Sequence, residues 1–432
     1  MNLYRKRVTV LGAARSGRAA AALALSQGAE VTLTDLKSDA REMEGVHCVF
    51  GRHEDQDLDA DVVVVSPGVP ERAPPVQKAL ANGGTVLSEL AFAWEFIPHD
   101  RPLVAITGTN GKSTVTEFVA QLLRAAGLDT FAGGNLGTPL SAAAANCTFD
   151  AYVVEVSSYQ MELPGRFTPS VATVLNLTPD HLQRHGTMAS YAEHKCRVFD
   201  RMGDGGFAVL PADNPLLLEA AQGRPGRRLW IGRQPGVVLE GRGAWVGDAF
   251  VDLSGFQVLG EHNRLNAAVA CLLAHGAGLA IEHLKPSSLR GLPHRMERVQ
   301  TSDGLMWVND SKATNVAAAL TGLSGLGQPA IVLLGGQGKD GADYASLKPH
   351  LKRGCVTFGA SGPDIASVLN GQVIAQAPDL QTAVDLARKQ AQPGDAVVLS
   401  PACASFDEFD NFEQRGDVFR ALARGFAPRK SS

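Results

Sequence analysis

One short run of residues in this sequence has the composition of a phosphate-binding loop. An apolar stretch, residues 104–106, leads through Thr107 into the sequence Gly-Thr-Asn-Gly-Lys-Ser-Thr. Glycines at both ends of such a loop let the backbone bend until its N–H groups face an anion, and a helix that begins near the lysine adds the positive end of its dipole. The lysine would meet the outer phosphates of a nucleotide, and a hydroxyl after it would hold magnesium. The predicted nucleotide-binding residues are Gly108, Thr109, Asn110, Gly111, Lys112, Ser113 and Thr114.

The loop is shorter than the usual pattern G-x-x-x-x-G-K-[ST]. The first glycine of that pattern would fall at position 106, which is isoleucine, so the sequence that remains is G-x-x-G-K-S-T. A plain turn with a solvated lysine is the alternative interpretation, but a chance match has a probability of roughly a few per cent in a chain of 432 residues. Because the loop directly follows an apolar strand, the sequence favours nucleotide phosphate binding.

Glu155 is a second candidate for chemistry, because it interrupts the apolar strand predicted over residues 151–156. A buried carboxylate is costly unless it is paired or bound to a metal ion. With a phosphate loop in the same region, we favour a magnesium ligand over a buried ion pair.

Further polar clusters lie where predicted strands end, which is where parallel sheets bind ligands. In the same part of the chain they cover residues 133–137, 157–160 and 179–181. The last cluster contains His181, which on pattern alone is an ordinary hydrogen-bonding histidine. On pattern alone, Lys195 would likewise be a solvated lysine of a helix.

The N-terminal region has the strand–helix–strand pattern of a dinucleotide-binding unit. A strand over residues 8–11 is followed by a helix and by a second strand that ends at Asp35, about 20 residues after Gly12, where such folds place the acid that binds ribose. The middle glycine of the fingerprint, which lets a pyrophosphate approach, is Ala14 here. We therefore predict a Rossmann-like module without NAD binding. The next strand is predicted over residues 61–65 and stops at Ser66, where the spacing fits a ligand loop and a plain proline turn about equally well.

Two proline-containing segments, residues 97–102 and 291–297, predict domain boundaries. We expect an α/β protein of three domains: a Rossmann-like domain over residues 1–98, a central P-loop-type ATPase domain over residues 99–297, and a second Rossmann-like domain over residues 298–432. The central domain should combine a parallel sheet with a small β-rich decoration.

Composition excludes several other classes of protein. The chain is 45% hydrophobic and 19% charged, with a formal net charge of -4, so it has no basic field for nucleic acid. Its six cysteines are scattered singly, which argues against a zinc or redox site. The first strand begins at once, without room for a signal peptide, and no apolar run is long enough for a membrane span. We expect a cytoplasmic protein without a nucleic-acid partner or a membrane span.

Taken in this order, the clusters resemble those of the Mur ligase family, from about residue 8 to about residue 420. The most specific sequences cover residues 108–114, 155–160, 309–315 and 400–405, and the last two resemble the branch that adds D-glutamate. The resemblance implies an ATP-dependent amide ligase of peptidoglycan precursor synthesis, in which a carboxylate is activated as an acyl phosphate and then attacked by an amine. The implied substrates are ATP, UDP-N-acetylmuramoyl-L-alanine and D-glutamate, and we expect a monomer.

The resemblance also implies roles for individual residues at the ATP site. The catalytic group would consist of Lys112, Glu155, His181 and Lys195. Ser113 and Glu155 would hold one Mg²⁺ ion, with Thr114 as the reserve hydroxyl, and His181 and a carbamylated Lys195 would hold a second. Further ATP contacts would come from Asn263, Asn266, Arg295, Asp310 and Lys312.

The remaining implied roles concern the other two substrates. The uridine end would contact Ser16, Asp35, Ser66 and Gly68, and the muramoyl-alanine end Asn135, Ser157 and His181. The carboxylates of glutamate would be held by Thr314, Lys339, Ser405 and the backbone around Phe406 and Phe412. The sequence departs from the family at two positions: Gln337 stands where relatives often have aspartate, and Arg15 replaces an apolar residue near the uracil site.

Three other functions compete with this interpretation. The nearest is a sister ligase that adds L-glutamate or another amino acid, because the sequence does not display stereochemistry. An NAD-dependent oxidoreductase would rest on the first strand–helix–strand unit, but Ala14 and the complete phosphate loop argue against it. A catalytically silent nucleotide-binding scaffold is disfavoured because Lys112, Glu155, His181 and Lys195 are all present.

Overall fold

The computed structural model describes residues 1–135, 137–146, 148–339 and 341–425. Leu136 of the predicted cluster 133–137, Cys147, and residues 426–432 of the predicted third domain lie outside the described residues. The chain forms two compact units. The first comprises Met1–Gly255 and Asn266–Ser288, and the second comprises Phe256–Leu265 and the chain from Leu289 onwards.

The first unit begins with a five-stranded parallel sheet in the order β3-β2-β1-β4-β5. The order reverses between β1 and β4, so the loops after these two strands meet at a switch point, where open α/β sheets bind ligands. The elements are β1 Arg7–Leu11, α1 Arg15–Ser26, β2 Glu30–Asp35, β3 His47–Phe50, β4 Val62–Val65, α2 Pro74–Ala81, β5 Thr85–Ser88 and α3 Glu89–Trp94.

A nine-stranded sheet follows in the order β14-β13-β12-β11-β10-β9-β6-β8-β7. Its strands are parallel from β7 to β12, while β13 and β14 extend the edge as an antiparallel hairpin, the predicted β-rich decoration. The elements are β6 Leu103–Thr107, α4 Lys112–Ala125, β7 Thr130–Gly134, α5 Leu140–Ala144, β8 Ala151–Glu155, β9 Val171–Val174, α6 Leu182–His185, α7 Met188–Cys196, β10 Phe207–Pro211, α8 Pro215–Ala220, β11 Arg227–Ile231, β12 Gly236–Glu240, β13 Gly243–Val246, β14 Ala249–Asp252 and α9 Glu261–Gly276.

The second unit contains a six-stranded sheet in the order β15-β16-β20-β17-β18-β19. Only its edge strand β15 is antiparallel to its neighbour in the described part of this sheet. The elements are β15 Glu297–Val299, β16 Met306–Asn309, α10 Val316–Ser324, β17 Ala330–Gly335, β18 Cys355–Phe358, α11 Gly362–Val368, β19 Val373–Ala377, α12 Leu380–Gln390, β20 Ala396–Leu399 and α13 Phe412–Ala423.

Buried apolar residues cover both faces of these sheets, as expected for parallel strands. In the first unit one continuous cluster joins the first two sheets, and it includes Val8, Phe92, Leu140 and Tyr152. In the second unit two clusters pack on opposite faces of the sheet. The predicted α/β class with three parallel-sheet domains is confirmed, while the residue boundaries of the domains remain predictions.

One predicted strand starts a residue later than expected, at Val62 instead of Asp61. The Asp61 carboxylate accepts hydrogen bonds from Lys6 Nζ and from the backbone N–H of Arg7, both at 2.9 Å. This residue therefore ties the start of β1 to the start of β4 and does not continue the apolar strand.

Among the helices that the structure describes, none has the length and apolar character of a membrane span.

The close approach of α1 to β1 generates a stability prediction at Gly17. A Cβ atom there would lie 1.7 Å from the carbonyl oxygen of Gly12 and 2.8 Å from Ser66 Oγ. We expect Gly17→Ala to lower the free energy of unfolding by about 1–3 kcal/mol, because the helix must move away from the loop. Urea unfolding of the variant against the wild type measures this loss.

The matched control is Gly205→Ala, since a Cβ at Gly205 would meet no atom within 4 Å. That variant should unfold at the wild-type urea concentration. Equal midpoints for the two variants would show that α1 is not packed as closely as the structure has it.

Candidate active site

The predicted phosphate loop lies between β6 and α4, as a strand, a tight loop and a helix. Gly108 and Gly111 have φ angles of 145° and 84°, a region that favours glycine. A Cβ at Gly108 would come within 3.0 Å of Leu175 Cβ. The glycines therefore let the loop pass close to the end of β9 before α4 begins at Lys112. The first turn of α4 lies at the end of the loop, and the start of a helix is the position at which backbone N–H groups and the helix dipole favour an anion.

Asn176, just beyond β9, holds the loop in shape. Its Oδ1 atom accepts hydrogen bonds from the backbone N–H groups of Thr109 at 3.1 Å and Asn110 at 2.8 Å, and its Nδ2 donates to the carbonyl of Asn110 at 3.0 Å. No sequence pattern indicates this role, because only the fold brings the two segments together. The N–H groups of Thr109 and Asn110 therefore serve to shape the loop.

Two lysine side chains meet at one carbonyl oxygen of the loop. Lys112 Nζ donates to the carbonyl oxygens of Gly108 at 3.0 Å and Thr109 at 2.8 Å, and Lys195 Nζ donates to that of Gly108 at 2.8 Å. Lys195 is only 2% exposed. Burial, and then the positive charge of Lys112, lower the pKa of Lys195 to about 7. A large fraction of its amine is therefore neutral near pH 7, unlike that of a solvated lysine.

Glu155 ends β8 beside the loop, and its carboxylate lies between two predicted site residues. Ser113 Oγ donates to its Oε2 atom at 2.7 Å, and Asn135 Nδ2 donates to its Oε1 atom at 2.9 Å. The backbone N–H of Asn135 also bonds the carbonyl oxygen of Glu155 at 2.9 Å. Both side-chain donors are neutral, so neither balances the negative charge of this buried carboxylate. Adjacent carboxylate and hydroxyl oxygens are suitable ligands for a hard cation.

His181 is the N-cap residue of α6 and has a φ angle of 54°. Its Nε2 atom lies 3.4 Å from Asp180 Oδ2, and its side chain is 42% exposed. The ring centroid of His181 lies 6.2 Å from that of Tyr191, and Lys195 Nζ lies 4.4 Å from the same Tyr191 ring. Tyr191 therefore contacts both proposed ligands of the second metal ion. Its four-residue spacing from Lys195 on a helix was the one available signal in the sequence.

Ser157, predicted to contact the muramoyl-alanine end, follows β8. Its backbone N–H and its hydroxyl both donate to Gln160 Oε1, at 2.9 Å and 3.0 Å. Asn266 reaches the phosphate loop from α9, because its Oδ1 atom would lie 3.1 Å from a Cβ placed at Gly111. Asn263, in the second unit, donates from Nδ2 to the carbonyl oxygen of Leu259 at 2.6 Å.

The predicted uridine residues lie at the switch point of the first sheet. Ser66 is buried and its hydroxyl donates to the carbonyl oxygen of Gly12 at 3.1 Å. The Asp35 carboxylate accepts from the backbone N–H groups of Ala13 and Lys37, at 2.7 Å and 2.9 Å. Of the two further predicted residues, Ser16 lies in the first turn of α1, and a Cβ added at Gly68 would meet no atom within 4 Å.

In the second unit, Asp310 lies at the end of β16 and is almost fully buried. Its Oδ2 atom accepts from Ser400 Oγ at 2.9 Å and its Oδ1 atom from the backbone N–H of Met296 at 3.2 Å. Burial raises the pKa of Asp310 to about 7 despite these donors. The Met296 contact ends a turn in which His294 and Met296 have φ angles of 62° and 44°, with Arg295 between them.

The predicted glutamate residues lie on three loops of the second unit. Ser405 is buried, Phe406 is 69% exposed, and Lys339 is exposed. The backbone N–H of Thr314 bonds the carbonyl oxygen of Lys312 at 2.8 Å. Phe412 begins α13, and its ring lies 5.5 Å from Lys312 Nζ.

Arg415, which no sequence pattern singles out, joins two of these loops. Its guanidinium donates to the carbonyl oxygens of Ser311 at 2.9 Å, Cys403 at 3.1 Å and Ala404 at 3.1 Å, and its Nε donates to Ser311 Oγ at 3.0 Å. The side chain is fully buried. In the sequence it is one more helix arginine, so no local pattern could have singled it out.

Within the described residues no three His, Cys, Asp or Glu side chains gather into a metal site. The arrangement that does occur combines a hydroxyl with a carboxylate, Ser113 with Glu155. The second predicted set, His181 with Lys195, would need the lysine to gain an oxygen ligand.

Three family models match the chain. They are the Mur ligase MurD-like N-terminal domain over residues 6–88, the Mur ligase middle domain over residues 106–274, and the Mur ligase glutamate ligase domain over residues 294–403.

Proteins named UDP-N-acetylmuramoylalanine–D-glutamate ligase are similar to this chain over nearly their whole length. The protein from Myxococcus xanthus is 40% identical, with 96% of this chain and 98% of the relative covered. The protein from Pelotomaculum thermopropionicum is 38% identical, with 97% of each covered, and that from Koribacter versatilis is 36% identical, with 100% of each covered.

Solved structures of lower sequence identity share the fold. MurF ligase from Thermotoga maritima, crystallised in complex with ADP, has a TM-score of 0.60 at 18% identity, with 98% of this chain and 96% of that chain covered. MurF from Acinetobacter baumannii has a TM-score of 0.58 at 17% identity, with 92% and 86% covered.

The contacts of Asn176 generate a prediction for nucleotide binding. We expect Asn176→Ala to raise the KM for ATP by about tenfold or more, because three hydrogen bonds that hold the phosphate loop are lost. Steady-state kinetics with ATP as the varied substrate measures the change. Asn370→Ala, at an exposed position of the second unit, is the control and should leave this KM unchanged. A wild-type KM in Asn176→Ala would contradict the proposed hold on the loop.

Proposed function

The chain belongs to the Mur ligase family, and we propose that it joins D-glutamate to the alanyl carboxylate of UDP-N-acetylmuramoyl-L-alanine with the consumption of ATP. Relatives that bear the name of this reaction are 36–40% identical over almost the full chain, which supports the assignment. The observation that carries it is the convergence of Lys112 and Lys195 on the carbonyl oxygen of Gly108, beside the Ser113–Glu155 pair.

The reaction needs activation because a carboxylate is a poor acyl electrophile. The alanyl carboxylate attacks the γ-phosphorus of ATP, the bond to the β-phosphate oxygen breaks, and an acyl phosphate and ADP form. The amine of D-glutamate then attacks the acyl carbon, the bond to phosphate breaks, and the amine loses a proton as the amide forms. The products are the amide, ADP and inorganic phosphate.

Lys112 has the position to assist the first step. Transfer of a phosphoryl group between two anions requires that negative charge be neutralised and that the reacting atoms be aligned. The Lys112 ammonium lies over the loop carbonyls, where it can turn to the outer phosphates, and the first turn of α4 adds backbone donors. We propose that ATP is bound by residues 108–114 together with Asn263, Asn266, Arg295, Asp310 and Lys312.

The residues around Glu155 fit a magnesium ion. We propose that Ser113 and Glu155 hold one Mg²⁺, because a buried carboxylate with neutral donors and a hydroxyl beside it form a hard oxygen site. His181 and a carbamylated Lys195 would hold a second. Bound Mg²⁺ would neutralise charge on the phosphates of ATP.

Carbamylation of Lys195 is supported by its surroundings. The neutral amine attacks carbon dioxide and loses a proton, which gives a carbamate with two oxygen atoms. Only a neutral amine is a nucleophile, and burial together with Lys112 lowers the pKa of Lys195 to about 7. The modification would convert a cation that lies close to Lys112 into an anion, which removes their mutual repulsion.

The remaining substrate contacts are part of the same proposal. Ser16, Asp35, Ser66 and Gly68 would take the uridine end, Asn135, Ser157 and His181 the muramoyl-alanine end, and Thr314, Lys339, Ser405, Phe406 and Phe412 the glutamate. We propose domain boundaries after residues 98 and 297, a monomer, and a cytoplasmic location, where ATP and nucleotide-linked precursors are available. An NAD-dependent oxidoreductase is not supported, since the Asp35 carboxylate accepts two backbone N–H groups and Ala14 replaces the middle glycine.

Release of inorganic phosphate tests the function. With ATP, Mg²⁺ and UDP-N-acetylmuramoyl-L-alanine, we expect release with D-glutamate and background rates with L-glutamate or other amino acids, because the stereocentre decides whether amine and side-chain carboxylate can be held at once. Mass spectrometry of the product, with an omission of each substrate as control, completes the assay. Release with L-glutamate alone would keep the mechanism and change the amino acid, whereas no release would reject the proposed substrates.

Substitution of Lys195 tests the carbamate. We expect Lys195→Ala to lower kcat by at least about 100-fold, because an oxygen ligand is lost. Formate or acetate should partly restore it, since a small carboxylate can take the place of the carbamate. Lys112→Ala is the matched control: it should be equally inactive, but without rescue. If carboxylic acids and bicarbonate depletion both leave all rates unchanged, Lys195 is not carbamylated.

A further inference from the structure

Arg184 and Glu162 form a buried ion pair in the first unit. Arg184 Nε donates to Glu162 Oε1 at 2.7 Å, and its Nη2 donates to Oε2 at 2.8 Å, so the pair is bidentate. The two side chains are only 11% and 8% exposed. The Arg184 guanidinium also lies over the ring of Tyr159, 4.6 Å from its centroid.

This pair holds the loop of residues 66–71, which we call the substrate loop. Arg184 Nη2 donates to the carbonyl oxygen of Val69 at 3.1 Å, and its Nη1 lies 3.5 Å from that of Gly68. From the other side, the backbone N–H of Glu71 donates to Glu162 Oε2 at 2.9 Å. The substrate loop comes from the first sheet, while Arg184 and Glu162 come from segments that follow strands of the second.

The same short helix that carries Arg184 carries His181 at its N-cap. His185, at its other end, is buried, and its Nε2 atom lies 2.9 Å from Ser158 Oγ. The Tyr159 ring that stacks under Arg184 also contacts the His181 ring, at 5.0 Å between centroids. Helix α6 is therefore held near both of its ends, and the Tyr159 ring contacts both Arg184 and His181.

A buried ion pair is weak evidence for a gain in stability, because desolvation of both charges offsets their attraction. Its geometry here has a more specific use, since every remaining side-chain hydrogen bond of the pair goes to the backbone of the substrate loop. We propose that Arg184 and Glu162 are positioning residues that fix the substrate loop against His181 and so set the span between the nucleotide end and the reacting carboxylate of the UDP-linked substrate. This inference rests on the proposed function.

The long substrate makes this span matter for rate as well as for binding. Its uridine end and its reacting carboxylate are far apart in the molecule and must be held at once. A displacement of about 1 Å at the reacting end can lower a rate about 100-fold. A loosened substrate loop should therefore raise the KM for the UDP-linked substrate and lower kcat, without changing the binding of ATP.

Two conservative substitutions test the proposal. Arg184→Lys keeps the charge opposite Glu162 but loses the second donor that reaches Val69, and Glu162→Gln removes the charge while keeping the shape. We expect each to raise the KM for UDP-N-acetylmuramoyl-L-alanine about tenfold or more and to leave the KM values for ATP and D-glutamate within about twofold. Arg72→Met is the matched control, because Arg72 joins the same segments through an exposed contact, 3.5 Å from its Nη2 to the carbonyl oxygen of Gln183.

Hydrogen exchange of the substrate loop gives a second measurement that does not depend on the reaction. The backbone amides of the substrate loop, those of Ser66, Gly68, Val69 and Glu71, should exchange at least about tenfold faster in Arg184→Lys and Glu162→Gln, and at the wild-type rate in Arg72→Met. If either Arg184→Lys or Glu162→Gln does not fold, the measurements on the other variant test the proposal.

Unchanged KM and unchanged exchange in a folded variant would overturn the positioning role. If the wild-type enzyme makes no product with any amino acid, the proposed function is rejected instead. Faster exchange in Arg184→Lys and Glu162→Gln would then still support the role of these two residues in holding the substrate loop.

Discussion

The carbonyl oxygen of Gly108 accepts hydrogen bonds from two lysine side chains, and much of the first unit is arranged around this point. Two ammonium groups at one oxygen repel each other, and Lys195 is also buried, so the arrangement favours loss of its proton. An anion at this site, either the phosphates of a nucleotide or a carbamate on Lys195 itself, would reduce the repulsion between the two lysines. A phosphate loop with an excess of positive charge is thus prepared for the ligands that the proposed reaction requires.

Several segments far apart in the sequence are needed to keep this point in place. The Asn176 side chain shapes the phosphate loop by bonding the loop backbone, and Tyr191 lies against both Lys195 and His181. Glu155 enters from the neighbouring strand β8 and meets Ser113 at the start of α4. Because parallel strands present their carboxyl ends at one edge of a sheet, the order β9-β6-β8 brings these residues together from three separate stretches of chain.

The part of this arrangement that could be predicted from the sequence is the part that depends on local pattern. Glycines before a lysine at the end of an apolar strand predict the strand, loop and helix correctly, because bend, dipole and burial are all set within a dozen residues. The three parallel sheets follow from alternating strands and helices in the same way. Asn176, Arg184 and Arg415 escaped prediction because each acts on backbone far away in sequence, and a polar side chain in a helix or after a strand carries no sign of its distant partner.

The two positions at which the sequence departs from the family have structural contacts of their own. Arg15 donates from its guanidinium to the carbonyl oxygen of Gly137 at 2.6 Å. It thereby links the loop after β1 to the loop that contains Asn135. Gln337 exchanges both backbone hydrogen bonds with Ala404, each at 2.9 Å. A backbone pairing of this kind is open to any residue other than proline, so it does not depend on whether aspartate or glutamine stands at position 337.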